Sequence, residues 1–544
     1  MSAPSSVPVA SSAAPAGEPP LLSEAAARAS RLLVAFTAAL CVMFLASGPL
    51  SVVNPQLGAP RNWQYLLYPL LVALLVGSRA LDGLGEARLP HVWRRALFAS
   101  ALVWCLVCQV WKWRSFAING VDFSIFDWML FSTNHGRFGY SPIYDVNHFG
   151  IHPSYVLLPF IPLHRLFESA LLLCLTTGVV VWASVFPLWR LAMRLVGSEA
   201  IALFSVLAFL TSPWVGVLLD GGFRPEVFYP VFGLTLVLGW VERRPAVWIP
   251  ALVGFLSIKE DAAFHASALM LGTLLFDRER WRPALVVLVV SVVLFFVNTR
   301  VIQPWALAQT GQVRPGYLGF WGQYGGSLPE IALNMLRSPG QVLGDVFTSG
   351  WYRLFLPALL LPFLSRQPLV AMLPTLFILG SASYHQMHDY RTYYPVTLLP
   401  FFFWGLLEAY RNLERFRLPG QRRLLLCALA LLSFPLWGGG YVRFRPPMTQ
   451  VLHALEGASK RVEEVSPRLF YAQTVLFPHL PYRLYPLPFF EPSGTTTPGA
   501  VVLLNPKLDT YPFPQKELER MVAEAERRGE VEHLSEGFVL LRPR

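Results

Sequence analysis

The chain has 544 residues, 54% of them hydrophobic and 14% charged, with a mean hydropathy of +0.46, a balance that excludes a single large water-soluble domain. Lys and Arg outnumber Asp and Glu by 44 to 33, a formal charge of +11, but the excess sits in turns between apolar runs, so no nucleic-acid partner is expected. Cys41, Cys105, Cys108, Cys174 and Cys427 all lie inside apolar runs, which excludes an exposed disulfide framework and reads the Cys105/Cys108 pair as helix packing.

Residues 1–31 are rich in Ser, Ala and Pro with little charge or bulk, the composition of a disordered tail. Arg31 then opens a full-length apolar run, unlike the short core of a cleaved secretory signal. Runs follow at 32–53, 63–81, 97–113, 169–188, 200–219, 227–241, 246–258, 262–276, 284–303, 351–364, 369–383, 394–410 and 424–440. At roughly 20 apolar residues per crossing, these predict an α-helical polytopic membrane domain over 32–440 with about 13 transmembrane helices.

The basic turns at Arg94 and Arg95, at Arg243 and Arg244, and in the runs opening at Asp277 and Arg411 all fall on one side of this alternation. The positive-inside rule therefore places them and the N-terminus in the cytoplasm. The run over 246–276 is interrupted by Lys259, Glu260 and Asp261. Three consecutive charges at 100° steps cannot all face one protein interior, which predicts a hairpin with the charges at its outer tip.

Two outer loops are long, 114–168 and 304–350. Within the first, 153–167 is apolar but too short and too Pro-broken to span, which suits a helix lying in the interface. Beyond residue 440 the composition becomes Pro-rich and evenly charged. Short strand-like runs at 501–504 and 537–541 flank a helix with Leu518, Met521, Val522 and Ala525 on one face and Gly529 as its stop. This predicts a small extracytoplasmic α/β domain over 441–544.

With this topology the unusual polar residues gather at the outer rim: Asp122, Asp127, His148, His152, Arg224, Glu226, Lys259, Glu260, Asp261, His385, His388, Asp389 and Arg391. Ionisable groups at a membrane border are costly unless paired or wet, so their concentration at one face marks a candidate functional site. Asp127 or Asp122 can serve as a general base; a helix cap or loop ion pair is the structural alternative. His148 and His152 stand four apart and can contact a phosphate oxygen, but no third ligand at diagnostic spacing argues for zinc. Arg224 can grip phosphate, Glu226 follows a Pro suited to a helix start, and Lys259 is one of few lysines. His388, Asp389 and Arg391 add another outer helix end.

The ordered segments VDFSIFDW, HPSYVLLPFIPLHRLF, GGFRPEVF and IKEDAAF, with the tail VSPRLFYAQTVLFPHLPYRLYPLP, resemble a bacterial and archaeal family of predicted membrane proteins, domain of unknown function 2079. That family usually carries an Asp and a His before Pro-Glu, where this sequence has Gly222 and Arg224. The Pro-Ser after His152 makes it the better match to the family's histidine. The layout also resembles the large C-type glycosyltransferases, which carry an acidic residue in the first outer loop and use polyprenyl-phosphate sugars. The resemblance implies a transferase in which Asp127 or Asp122 deprotonates an acceptor hydroxyl while Arg224, Lys259 and Arg391 stabilise the leaving phosphate. No cofactor is required, and a divalent metal shared by Asp122, Asp127 and Glu226 is compatible. The competing classes are a transporter or flippase of a lipid-linked or anionic solute, and a non-catalytic scaffold that presents the C-terminal domain.

Overall fold

The structure is a computed structural model that describes residues 22–54, 60–311, 317–389, 392–437, 444–489 and 499–542. Helix begins earlier than composition predicts. Ser23 accepts a hydrogen bond from the Ala26 N–H and starts a helix over Glu24–Val53, so the expected tail loses its last residues to the first span; residues 1–21 lie outside the described residues.

Among the described residues four helices are long and apolar enough to cross a membrane: Glu24–Val53, His91–Arg114, Leu171–Leu195 and Arg278–Ala308. A fifth is obtained if Glu199–Leu210 and Pro213–Gly221, bent by 43°, count as one span. Ser212 accepts from the Val215 N–H, and Pro213 occupies the first helical position, so the sequence writes a second helix start in mid-run. Of the expected thirteen or so crossings, the described residues confirm these four or five. Several apolar runs form shorter helices, among them Pro245–Leu256 with 12 residues and Ala262–Phe276 with 15. At 1.5 Å per residue these reach about 18–23 Å, short of a hydrocarbon core of about 30 Å.

The run at 351–364 forms no α-helix. It is two 3-10 turns, Trp351–Leu354 and Leu361–Leu364, separated by Leu359 and Leu360 with φ of 53° and 54°. Pro357 and Pro362 lack the backbone N–H that an α-helical ladder through this run would need.

The hairpin over 246–276 does form. Gly254 packs on Phe232 and Gly239 on Trp248, which sets Pro245–Leu256 antiparallel to Phe228–Val241. Tyr229 meets Asp261 while Trp240 meets Thr273, which sets Ala262–Phe276 parallel to Phe228–Val241. The two short helices therefore run opposite ways, and Lys259, Glu260 and Asp261 occupy the tip between them. At the other end of these helices Arg190 and Arg244 pair with Glu242, Arg243 with Glu279, and Arg280 with Asp277.

The loop over 304–350 carries two amphipathic helices, Leu328–Arg337 and Pro339–Thr348. Ile331 and Val342 face inward with Tyr324, while Leu333, Leu336, Leu343 and Phe347 are exposed. The segment from 153 to 167 is a 3-10 turn, Tyr155–Leu157, and a helix, Phe160–Leu166, with Leu163, Leu166 and Phe167 exposed along one edge.

The C-terminal segment holds a five-stranded sheet in the order Leu487–Pro488, Leu469–Ala472, Ala500–Leu504, Val539–Leu541, Val531–His533, parallel across the first three strands and antiparallel across the rest. Side-chain alternation builds two layers on it. Val501 and Leu503 pack with Leu455, Ala458 and Val462 of Thr449–Val465, whereas Val502 and Leu504 pack with Leu518, Met521, Val522 and Ala525 of Gln515–Arg527. Gly529 follows that helix with φ of 70°, the left-handed stop that its sequence predicts. The first of these layers also takes in Phe116, Val121 and Trp128, so the sheet segment and the first long loop share one core.

Candidate functional site

Both aspartates of VDFSIFDW lie on one helix, Gly120–Asn134, and they face different ways. Five residues at 100° each put them about 140° apart around the axis. Asn119 caps this helix: its Oδ1 accepts from the Asp122 N–H, and its Nδ2 donates to Asp122 Oδ2 at 2.9 Å. The same carboxylate oxygen receives Arg224 Nη2 at 2.5 Å, and the Arg224 guanidinium lies 3.9 Å from the centre of the Tyr393 ring. Asp122 retains 34% side-chain exposure.

Asp127 points to the shared core. It is 1% exposed, accepts from the Tyr482 hydroxyl at 2.9 Å, and lies 3.5 Å from Nε2 of His164, itself fully buried. The two aspartates thus do different work: Asp122 faces a charged cluster, and Asp127 joins the first loop to the sheet segment. The sequence offers either as a general base; the structure gives the two carboxylates separate partners.

The charged cluster is assembled from four separate stretches of chain. Glu226, in the 3-10 turn Pro225–Val227, meets Lys259 at 3.2 Å. His152 Nδ1 lies 2.9 Å from Glu260 Oε1, and the Tyr229 hydroxyl donates to Asp261 at 2.5 Å. The Val156 N–H donates to the Ser257 carbonyl at 2.9 Å, tying the histidine segment to the hairpin tip. Burial works against ionisation of Glu226, but Lys259 and Arg224 hold its carboxyl below the usual range. Burial likewise opposes the charge on Lys259, and Glu226, Asp261 and Glu260 outweigh it and raise its pKa. Glu260 is held low by His152 and Lys259 despite its burial.

His148 stands at the inner wall of this cluster. It opens a one-turn helix, His148–Ile151, that Asn147 caps, so the spacing of four does place His148 and His152 one turn apart despite Gly150 and Pro153. Their ring centres are 6.2 Å apart, and Phe126 meets the His148 ring edge-on at 5.0 Å. His148 is 3% exposed, and neither ring nitrogen has a hydrogen-bond partner among the described residues. Nε of Arg224 is equally buried and unmatched. Burial pushes the His148 imidazole down to about 3, with His152 and Lys259 adding to the effect and Glu226 opposing it.

The remaining expected members make local contacts of their own. His385 is exposed, and His388 Nε2 donates to the Ala382 carbonyl at 2.5 Å. The Asp389 carbonyl accepts from the Thr392 N–H at 3.1 Å, closing the same turn. Arg391 lies outside the described residues. Among the described residues no group of three or more His, Cys, Asp or Glu side chains is placed to hold a metal ion, and Asp127 accepts from Tyr482 while Asp122 pairs with Arg224.

Gly222, where the sequence departs from the resemblance, has φ of 80°, and a Cβ there would lie 2.8 Å from Ile118. This backbone is built for glycine and brings Arg224 round to Asp122. Before it, Lys112 and Asp220 form an ion pair with Lys112 almost fully buried, and Gln109 donates to the Leu219 carbonyl at 2.8 Å. Sequence reasoning passed over this pair, together with Asn119, His164, Tyr229, Tyr393 and Tyr482. Tyr229 and Tyr393 stand beside noted motifs, whereas His164 and Tyr482 meet Asp127 from 37 and 355 residues away, with no local signal.

Residues 112–449 match the family described as predicted membrane protein, domain of unknown function 2079. No curated protein matches the chain. The matched stretch contains every member of the charged cluster and ends at the first residue of the Thr449–Val465 helix.

Proposed function

From the premise that this chain belongs to the domain of unknown function 2079 family of predicted membrane proteins, we propose that it is a membrane glycosyltransferase moving a sugar from a polyprenyl-phosphate donor to an extracytoplasmic acceptor. The observation that carries this reading is the convergence of Asp122 with Arg224, Glu226 with Lys259 and His152 with Glu260 at one end of the helices, beside buried donors that have no acceptor. A structural ion-pair network would satisfy its own hydrogen bonds; unmatched groups on Arg224 and His148 leave places for ligand oxygens.

In this reading Asp122, partly exposed and oriented by Arg224 and Asn119, takes the proton of the acceptor hydroxyl. The hydroxyl oxygen forms a bond to the anomeric carbon as the bond from that carbon to the phosphate oxygen breaks, and the electron pair leaves with polyprenyl phosphate. Arg224, through its free Nε, and Lys259 answer the charge that develops on the phosphate. The exposed edge of Leu163, Leu166 and Phe167 offers an apolar track for the polyprenyl chain. The N-terminus and the Arg-rich turns face the cytoplasm of an inner membrane, 32–440 form the membrane domain, and 441–544 lie outside it.

Replacing Asp122 with Asn, with the protein in proteoliposomes and a synthetic polyprenyl-phosphate hexose as donor, should lower transfer at least about a hundredfold. Asp127→Asn should act instead on the melting temperature. Unchanged transfer by Asp122→Asn would remove Asp122 as the base.

A further inference from the structure

The two histidines of the first loop are not equivalent. His152 is engaged by Glu260, whereas His148 is enclosed beside the same charges and makes no hydrogen bond among the described residues. A buried polar group without a partner is uncommon, and one that faces a cluster of charges needs a ligand or an ordered solvent atom to complete it. The charges around it narrow the chemistry. Among the described residues, Asp122, Glu226, Glu260 and Asp261 bring four carboxylates against two permanent cations, Arg224 and Lys259, and each of these cations already pairs with a carboxylate. A second acidic ligand group next to His148 would add like charge to a part-buried site that already has an excess of it.

His148 is held uncharged by its burial and so presents one N–H donor and one lone pair. That is the complement of a hydroxyl group, which also donates once and accepts. The free Nε of Arg224 has a donor only and suits an anionic oxygen. The site therefore has two chemically distinct ends.

We propose that His148 forms the sugar subsite of this cluster and reads a hydroxyl of an uncharged sugar ring, while Arg224 Nε marks the phosphate end, so that the donor sugar is neutral rather than acidic. This rests on the glycosyltransferase reading and adds the class of its sugar. His148 acts by binding and orienting the donor; Asp122 keeps the proton transfer.

The test is calorimetric titration of the purified full chain in nanodiscs with four short-chain polyprenyl phosphates: the bare carrier and the carriers bearing glucose, mannose or glucuronate. The wild type should bind a neutral hexosyl carrier more tightly than the bare and glucuronosyl carriers. His148→Ala should lose about fivefold of that preference, the worth of one hydrogen bond, without weakening the bare carrier. His148→Asn, which keeps a donor and an acceptor, should recover part of it and covers the case in which the alanine variant fails to fold. Equal binding of all four carriers, or best binding of the glucuronosyl carrier, overturns the sugar subsite but leaves phosphate recognition standing. Binding of none overturns the glycosyltransferase reading itself.

Discussion

At the scale of single residues, what decides the site is which polar atoms are already spent. Residue type and position were legible: Asp122, Arg224, Glu226, Lys259, Glu260, Asp261, His148 and His152 could each be picked out as polar groups at apolar borders. Their pairing was not, because partners come from distant stretches and an ion pair leaves no local pattern. The helical repeat does show that positions 122 and 127 diverge by about 140°, so treating them as a pair ignored a geometric fact already present in the sequence. His148 supplies the pH-dependent prediction. Its folded value of about 3 lies below the ordinary 6.5, so on acidification the unfolded chain takes up a proton that the folded chain refuses. Stability from this group is complete above about pH 6.5 and declines as pH falls toward 3, by about 2 kcal/mol between pH 7 and pH 5. Glu226 and Glu260, with lowered values, keep their contribution throughout that window and lose it only at lower pH. His148→Asn should therefore show a flatter fall of melting temperature from pH 7 to pH 5 than the wild type in the same detergent. Parallel curves would mean that the imidazole is open to solvent.

At the scale of elements, the Gly120–Asn134 helix carries the argument, because it is clamped on two sides. On one side it presents Asp122 to Arg224; on the other, Trp128 lies against Tyr482 and Phe477, with Trp113 Nε1 donating to the Pro478 carbonyl at 3.1 Å nearby. The approach is closest at Gly120, where a Cβ would fall 2.3 Å from the Thr474 carbonyl oxygen, a backbone atom that cannot swing aside. Gly120→Ala should force the helix and the 474–479 turn apart. Overpacking of this kind costs about 1–3 kcal/mol, and because the same helix aims Asp122, transfer activity should fall along with the melting temperature. A stable Gly120→Ala protein with full activity would show that the sheet segment has no part in positioning the site. The sequence could not show this contact, since a glycine at a helix start reads as a weak cap and only the partner backbone, more than 350 residues away, explains it. Helix breaks were legible only in part: the hairpin tip declared itself by three charges, whereas the bend at Ser212 and Pro213 and the collapse of 351–364 into 3-10 turns were hidden within apolar runs. Hydropathy finds lipid-compatible segments; proline and capping chemistry decide whether each is one helix.

At the scale of the whole molecule, charge is sorted to two ends. One end gathers the Glu242, Glu279 and Asp277 pairs with their arginines, and the other gathers the Asp122, Glu226 and Glu260 pairs with the sheet segment beside them. Phe228–Val241 runs from the second end to the first, so a membrane crossed by this helix separates the two ends. The proposed transfer depends on this, because in that reading a polyprenyl-linked sugar and an extracytoplasmic acceptor meet on the side that holds Asp122. Cysteine labelling tests it with little background: Cys105, Cys108, Cys174 and Cys427 are buried, and Cys41 is half-buried in the first span. Arg278→Cys and Lys516→Cys would place exposed thiols in the basic turn and beside the sheet, respectively. In intact cells an impermeant maleimide should label Lys516→Cys at once and Arg278→Cys only after the membrane is opened. The reverse pattern would put Asp122 and Arg224 in the cytoplasm, where the proposed extracytoplasmic acceptor is absent. Labelling of both in intact cells would mean that the Phe228–Val241 helix does not cross, and the short helices around it would then have to lie within one leaflet.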